Sequence, residues 1–422
     1  MVQKMRKMKD SGIEWIGEIP EGWKIGQLYS ERRTKVSDKD YPPLSVTMKG
    51  ILPQLSTAAK TDAHDDRKLV CKGDFAINSR SDRRGSCGIS EQDGSISLIN
   101  TVLQPRGEMN PGYYNWLFHT SMFADEFYKW GHGIVDDLWT TGWSDMKKIG
   151  VPVPSKCEQK QLAEHLNVEC SHIDSILSKT RASIEEYKKL KQAIITQAVT
   201  KGVRGEREMK DSGVEWIGEI PREFDPVQLK FFCKLITDGT HFSPTIVENG
   251  WPYITAGDVH GIGLDYNSAK RISEEDFQLL VAQGCQPLKG DVLLVKDGAT
   301  TGRVGFVDSD TPCVILSSVA MLRPADNTDG HYLMYLLASD FLQKQILVSM
   351  AGSAMPRTTL TKLTKYIGLL PPLHEQKEIA NHLDAKCAEI DKLIAKKEQL
   401  VKELESYKKS LIYEVVTGKR EV

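Results

Sequence analysis

Apolar residues recur alternately three and four positions apart along two long stretches of the chain, from Leu166 to Ala198 and from Leu383 to Val415. This heptad spacing places them on one face of a helix. It predicts two long helices within residues 154–204 and 371–422. The predicted seam consists of Leu166, Ile173, Leu177, Ile184, Tyr187 and Ile194 in the first helix and of Leu383, Ile390, Ile394, Val401, Leu404 and Leu411 in the second.

Polar residues interrupt the two heptad patterns at matching places, since Thr180 corresponds to Lys397 and Lys191 to Lys408. Polar seam positions set the register of paired helices. The match favours pairing of the two helices, each about 45 residues and roughly 65–70 Å long. The pattern alone leaves open that each helix only packs on its own domain. Ser155 with Glu158 three residues later predicts a capping box at the first helix start.

The chain contains a tandem repeat. MKDSGIEWIGEIP (8–20) returns as MKDSGVEWIGEIP (209–221), an offset of 209 − 8 = 201, and the twenty residues from 158 return with nine identities from 375, an offset of 375 − 158 = 217. We call the two 13-residue segments the tandem motifs. The repeat predicts four segments: 1–153 and 205–370, each a tandem motif with a globular region, and the helical segments 154–204 and 371–422.

The globular regions, 20–153 and 221–370, alternate short β-rich runs with amphipathic runs. The strand-like runs are 75–78, 96–103, 292–295, 304–307 and 314–322, and the helical runs are 113–130 and 331–350. Turn residues bound the strand-like runs. These elements predict the α+β class.

Composition narrows the class of protein. The 422 residues predict two to four folding units. The net charge of −2 provides no global attraction to nucleic acid or to an anionic membrane. No run approaches the roughly 18 apolar residues of a membrane span, and residues 1–10 lack the apolar core of a signal peptide. The eight cysteines show no zinc-ligand spacing. We therefore expect a cytoplasmic protein without membrane contact, disulfides or bound metal.

Two loops at equivalent positions of the repeat, 78–85 and 296–303, combine basic side chains with glycines. Arginine and lysine can bond guanine or phosphate, and glycine lets a backbone approach a duplex closely. The candidate DNA-binding residues are Arg80, Arg83, Arg84, Lys296, Thr300 and Arg303, with Thr240, His241 and Arg357 in support. An ordinary solvated hairpin explains the same composition.

Motifs of several enzyme classes are absent from the sequence. There is no GxxxxGK[ST], GxGxxG, HExxH or GxSxG, and Tyr41-Pro-Pro-Leu44 lacks the polar first residue and the final aromatic of an amino-methyltransferase motif. These absences disfavour an autonomous enzyme.

The sequence resembles the specificity subunits of type I restriction-modification systems. The resemblance rests on the Trp-Ile-Gly-Glu-Ile-Pro of both tandem motifs, on Asp-Gly-Thr-His at 238–241, on the segment 289–298 and on Pro-Pro-Leu-His-Glu-Gln at 371–376. It implies two target recognition domains held apart by two long antiparallel helices in a pseudo-twofold repeat. Each domain would read one half of a bipartite, asymmetric sequence in double-stranded DNA.

The same resemblance implies a non-catalytic chain that directs adenine methylation, or restriction, by partners. The partners would be two methyltransferase subunits and restriction/translocase subunits, and S-adenosylmethionine, ATP and Mg would bind to them and not to this chain. One departure concerns the first globular region, which shows no clear counterpart of 238–241 or of Met-Pro-Arg at 355–357. The alternatives are a coiled-coil scaffold without sequence readout and a self-sufficient nuclease or methyltransferase.

Overall fold

The computed structural model describes residues 6–27, 29–54, 65–107, 109–133, 139–350 and 356–422. It is a mixture of helix and sheet, which confirms the predicted mixed character of the fold. The chain divides into two compact units. The first contains residues up to Arg181 together with Gln399–Val422, and the second is Ala182–Glu398.

The first unit is built mainly from short strands. Its elements are β1 (Met8–Asp10), β2 (Glu18–Pro20), β3 (Lys24–Gly26), β4 (Tyr29–Glu31), β5 (Lys35–Val36), β6 (Leu44–Thr47), β7 (Gly50–Pro53), β8 (Arg67–Val70), β9 (Phe75–Asn78), β10 (Cys87–Ile89), β11 (Gly94–Ile96), β12 (Asn100–Pro105), α1 (Pro111–Phe118), α2 (Ser121–Lys129), α3 (Trp143–Met146), β13 (Val151–Val153) and α4 (Lys156–Lys201), whose residues up to Arg181 belong here.

The central sheet of the first unit has the order β10-β9-β12-β4, with antiparallel neighbours. Phe75 on β9 packs against Phe118 of α1 with ring centroids 4.2 Å apart, and Phe118 packs against Phe123 of α2 at 4.7 Å. All three rings are buried. The aromatic core therefore joins the sheet to its two helices.

The second unit contains β14 (Met209–Asp211), β15 (Glu219–Pro221), β16 (Asp225–Gln228), β17 (Cys233–Asp238), β18 (Ile246–Val247), β19 (Trp251–Ile254), β20 (Val259–His260), β21 (Gly263–Leu264), β22 (Lys270–Ile272), α5 (Glu274–Ala282), β23 (Val292–Val295), β24 (Val304–Phe306), β25 (Val314–Ile315), β26 (Val319–Pro324), α6 (Gly330–Ala338), α7 (Asp340–Ser349), α8 (Leu360–Leu363), β27 (Ile367–Leu370) and α9 (Leu373–Val416), whose residues up to Glu398 belong here.

One sheet of the second unit has the order β17-β26-β23-β24, and a second has the order β18-β22-β19-β25. The first of these repeats the order of the central sheet in the other unit, because β24, β23 and β26 match β10, β9 and β12 in the tandem repeat. The buried hydroxyl of Tyr332 on α6 donates to the Leu369 carbonyl of β27 at 2.6 Å.

The two amphipathic runs predicted as single helices are each broken into two. The first break lies at His119 and Thr120, where the Thr120 hydroxyl accepts from the Phe123 amide and caps α2. The second lies at Ser339, whose backbone is extended and whose hydroxyl bonds the Leu336 carbonyl. A short hydroxyl side chain competes with helical backbone bonding in both places.

The long helices α4 and α9 contain 46 and 44 residues. The predicted capping box at the start of α4 is present, since the Ser155 amide donates to Glu158 at 3.1 Å and the Glu158 amide donates to the Ser155 hydroxyl at 3.3 Å. Every predicted seam residue of both helices is buried or half-buried. The heptad residues therefore lie on covered faces of the two helices.

In the first unit, α4 and α9 pair through ions. Lys408 of α9 contacts Asp174 of α4 at 2.6 Å, and Arg181 contacts Glu405 at 2.5 Å. Arg181 lies further along α4 than Asp174, whereas its partner Glu405 lies earlier on α9 than Lys408. The two helix segments of this unit are therefore antiparallel.

The second unit contains the matching contacts. Lys191 of α4 contacts Asp391 of α9 at 2.6 Å, and the Lys397 ammonium lies 5.7 Å from the ring centre of Tyr187. Lys191 and Asp391 are the repeat partners of Lys408 and Asp174, at 408 − 191 = 391 − 174 = 217. Of the two matched polar positions in the sequence pattern, Lys191 and Lys408 thus form the same ion pair in both units.

An arginine two residues before each tandem motif pairs with an acidic residue of a long helix. In the second unit, Arg207 pairs with Glu375 at 2.5 Å, its guanidinium carbon lies 4.8 Å from the Phe224 ring centre, and Glu375 is 1% exposed. In the first unit, Arg6 pairs with Glu158 and lies 5.4 Å from the Trp23 ring centre. The acidic residue is the capping-box residue Glu158 of α4 in the first unit and its repeat partner Glu375 of α9 in the second.

A buried glutamine fixes the start of each long helix. Gln376 accepts from the Asp329 amide at 2.8 Å and donates to the Pro371 and Asn327 carbonyls at 2.8 and 2.9 Å. Gln159 accepts from the Asn110 amide at 2.8 Å. The Glu-Gln pair that recurs in the sequence therefore ties each helix to the globular region of its own unit.

No helix among the described residues has both the length and the apolar character needed to cross a membrane. Within the same residues, no group of His, Cys, Asp and Glu could hold a metal ion. All eight cysteines have free thiols, and burial raises the pKa of Cys87, Cys233 and Cys313 to about 12.

Candidate nucleic-acid interface

The candidate loop of the second unit lies where strands β17 and β23 end, in the sheet β17-β26-β23-β24. Asp238 at the end of β17 and Leu294 on β23 both face Ala320 of β26 in the strand register. Since β17 and β23 are both antiparallel to β26, they run in the same direction and end on the same side of the sheet. Lys296 follows directly after β23, so it emerges beside Asp238.

Four charged side chains form a network at these strand ends. The Lys296 ammonium lies 3.3 Å from an Asp238 oxygen and 2.8 Å from an Asp297 oxygen, and it is only 3% exposed. The other Asp297 oxygen lies 2.9 Å from Nε of Arg357, whose side chain is 60% exposed. The network joins a buried lysine to an exposed arginine, and its formal charge sums to zero.

Glycine residues allow the loop 296–303 to turn. Gly302 has φ 97°, a conformation that disfavours other residues, and a Cβ there would require the end of the Gln343 side chain, 2.5 Å away, to move. Gly85, its repeat partner, has φ 75°. Thr300 is half-buried and its carbonyl accepts from the Arg303 amide at 3.1 Å, which leaves the Arg303 side chain exposed at the tip.

The Asp-Gly-Thr-His segment is a tight turn beside those strand ends. A Cβ at Gly239 would lie 1.9 Å from the Ile315 carbonyl oxygen, so only glycine fits. Thr240 is buried, and its hydroxyl accepts from the Phe242 amide at 2.9 Å. His241 and Phe242 are exposed. The turn presents the His241 ring to solvent.

In the first unit, all three predicted arginines are exposed. Arg80 lies directly before a short turn of helix at 81–83, Arg83 lies 3.7 Å from Asp82, and Arg84 pairs with Asp125 while its guanidinium lies 5.9 Å from the Tyr128 ring centre. The three cations thus occupy one solvent-facing turn between β9 and β10.

The placement separates the predicted contact residues into two groups. Arg80, Arg83, Arg84, His241, Arg303 and Arg357 are exposed and Thr300 is half-buried, whereas Lys296 and Thr240 are buried. A buried ammonium held between two carboxylates cannot reach a base edge without breaking both ion pairs. The structure therefore disfavours Lys296 and Thr240 as direct DNA contacts and gives them supporting positions.

Sequence reasoning missed two residues of this site, Asp238 and Asp297, as partners of the basic side chains. Asp297 lies inside the candidate loop 296–303, directly after Lys296, and Asp238 opens the segment 238–241. The sequence could have indicated Asp297 by its place beside Lys296, but only the strand register brings Asp238 to Lys296.

Comparison with known proteins shows what this chain is similar to. Residues 221–403 match the family model described as "Type I restriction modification DNA specificity domain". The matched residues lie in the second half of the chain. That finding confirms the resemblance recognised in the sequence.

Curated relatives extend the similarity to nearly the whole chain. The type I restriction enzyme MjaVIII specificity subunit of Methanocaldococcus jannaschii is 25% identical over 95% of this chain and 93% of its own length. The putative type I restriction enzyme MjaX specificity subunit of the same organism is 26% identical over 96% of this chain and 95% of its own length.

Solved structures share the fold. A chain from work on complex assembly and conformational transition of the type I R-M system superposes with a TM-score of 0.72, at 14% identity, covering 94% of this chain and 98% of that chain. The HsdS subunit of Thermoanaerobacter tengcongensis gives a TM-score of 0.52 at 17% identity, covering 95% and 98%.

Proposed function

We propose that this chain is the DNA sequence-recognition subunit of a type I restriction-modification complex. The observation that carries the proposal is the similarity of 95% of the chain to a curated specificity subunit. Each globular region reads one half of a bipartite, asymmetric target in double-stranded DNA. The exposed arginine loops support this role because arginine and backbone amides are the usual contacts to guanine and phosphate.

The long helices act as the spacer between the two readers. Antiparallel pairing within each unit and the repeated ion pairs Lys191–Asp391 and Lys408–Asp174 support a pseudo-twofold coiled coil. A rigid spacer favours half-sites about one helical turn apart, roughly 10 bp centre to centre. The segments 1–153, 154–204, 205–370 and 371–422 keep their proposed roles as reader, spacer, reader and spacer.

The chemistry belongs to partner subunits in this proposal. Two methyltransferase subunits and restriction/translocase subunits bind S-adenosylmethionine, ATP and Mg, while this chain is non-catalytic and binds none of them. The net charge of −2 supports a division of labour, because a chain without excess positive charge gains little from phosphate contacts alone. Its cytoplasmic location stays a prediction.

The proposal is tested by mapping methylated adenines in DNA from cells that carry the chain with its methyltransferase, compared with cells lacking only this chain. We expect one split motif that disappears with the chain. Methylation that persists without the chain contradicts the proposal. An assembled complex that binds DNA without sequence preference favours the scaffold alternative.

A further inference from the structure

Each unit contains its own short strand bridge beside its candidate loop, and the two bridges are equivalent. In the first unit, Arg80 bridges Thr140, and in the second unit Asp297 bridges Arg357, both antiparallel. The two bridges lie at the same repeat offset, because 297 − 80 = 357 − 140 = 217. The structure thus supplies a counterpart of Arg357 in the first unit that the sequence did not reveal.

The hydrogen bonds around the bridge match bond for bond. In the first unit, Ser81 donates its amide to the Trp139 carbonyl at 3.0 Å, and Thr141 donates to Ser79 at 2.9 Å. In the second unit, the corresponding bonds are Gly298 to Pro356 at 3.0 Å and Thr358 to Lys296 at 2.9 Å. One backbone frame therefore occurs twice, and we call it the bridge frame (79–81 with 139–141, and 296–298 with 356–358).

The side chains on this common frame differ. At the inner position, Ser79 shares a 2.9 Å hydrogen bond with the Thr101 hydroxyl, whereas its counterpart Lys296 is the buried cation between two carboxylates. At the bridge itself, the arginine stands on the loop strand in the first unit, as Arg80, and on the opposite strand in the second, as Arg357. Each frame presents one exposed arginine.

The charge network keeps the Arg357 guanidinium beside Asp297. One Asp297 oxygen lies 2.9 Å from Nε of Arg357 as an ion pair without hydrogen-bond geometry, and Lys296 donates to the other oxygen of the same carboxylate at 2.8 Å. This ion pair leaves the terminal nitrogens of Arg357 as the fork that matches O6 and N7 of guanine. Lys296 also balances the negative charge that Asp238 and Asp297 would otherwise present to DNA.

We propose that the bridge frame is the base-reading element of each unit, with Arg80 reading a guanine in one half-site and Arg357 a guanine in the other. Lys296 and Asp297 are positioning residues for Arg357. This inference rests on the proposed DNA-recognition function. A constant backbone with interchangeable side chains lets two related units read different sequences while keeping the same fold.

The test maps methylation motifs made by the full complex containing Arg357→Ala or Arg80→Ala. Loss of a bidentate contact to guanine reduces discrimination by about 10- to 100-fold at that base pair. We expect Arg357→Ala to relax one G·C position in one half-site and Arg80→Ala to relax one G·C position in the other. Arg222→Ala, at an exposed pair with Glu208, is the matched control and should leave the motif unchanged.

The positioning role has its own readout. Asp297→Asn keeps the side-chain shape but removes the charge that orients Arg357, so it should relax the same base pair to a smaller degree. In the double variant with Arg357→Ala, it should add nothing at that base pair. Arg357→Lys, which keeps the charge and loses the fork, should also relax that position. This variant serves if the alanine variant fails to assemble.

The outcomes separate the two proposals. A wild-type complex without a split motif overturns the proposed function. A wild-type split motif that survives both arginine substitutions, with methylation intact, overturns only the bridge-frame inference. Weakening that is uniform across all positions also overturns it, because that result indicates phosphate contacts and no base readout.

Discussion

Removing the charge of Arg207 should destabilise the second unit strongly. Glu375 is 1% exposed and Arg207 is 13% exposed, so the Arg207→Met variant leaves a carboxylate buried without its partner. Breaking a buried ion pair in this way costs about 3–5 kcal/mol. Methionine keeps an apolar stem for packing on Phe224, which isolates the charge from the packing contribution.

The chain contains graded controls for this variant. Arg6 and Glu158 in the first unit are 32% and 31% exposed, and Arg222 and Glu208 are 66% and 69% exposed. Solvent screens these pairs, so Arg6→Met should cost about 1 kcal/mol and Arg222→Met less than that.

Calorimetric melting of the full chain would measure the Tm of the three variants Arg207→Met, Arg6→Met and Arg222→Met. For a unit of about 200 residues, each 1 kcal/mol lowers Tm by roughly 2–4 °C, so Arg207→Met should lower the Tm of its unit by about 6–20 °C. The expected order of the losses is Arg207, then Arg6, then Arg222. An Arg207→Met variant that melts no earlier than Arg222→Met refutes the argument that burial of Glu375 sets the magnitude.

Three further predictions concern the scaffold. Asp391→Lys should lower Tm by facing Lys191 with a like charge, and the exchanged pair Lys191→Asp with Asp391→Lys should recover most of the loss; no recovery argues against helix pairing in that unit. Gln376→Ala should cost about 1–3 kcal/mol in urea unfolding, because one buried and two part-buried backbone groups lose their partner, while Gln399→Ala on the exposed helix surface should be near neutral; equal losses would contradict this. Burial raises the pKa of Glu158, but bonds from Arg6, Ser155 and Trp23 outweigh it and lower the pKa below 4.5. The ionised Glu158 therefore stabilises the fold above pH 4.5, and this stabilisation is lost as the pH falls through the lowered pKa of the folded state. The stability advantage of the wild type over Glu158→Gln should shrink in acid. A stability difference that does not change with pH would contradict the lowered pKa.

The helices and their seams could be predicted because their signal is local and periodic. Leu166, Ile173, Leu383 and Ile390 recur at heptad spacing, and an apolar face at that period has to be buried. The capping box at Ser155 was equally readable, because a cap involves residues three positions apart.

The candidate site was only partly predictable. Composition identified Arg80 and Arg357 as cations beside turns, but their shared place on one backbone frame depends on strand register between residues sixty positions apart. The prediction that Lys296 contacts DNA rested on its charge, and its burial between two carboxylates depends on β17, which ends at Asp238 and lies two strands away from β23 in the sheet. Such long-range neighbours leave no trace in spacing along the chain.

The central claim is that two separate readers determine one split target, and an exchange of one globular region tests it most directly. Residues 20–153 would be replaced by the corresponding region of another specificity subunit, and the methylation motif of the assembled complex would be mapped before and after the exchange. The account predicts that one half-site changes while the other half-site and the spacing between them stay the same. A change in both half-sites, or in neither, contradicts it.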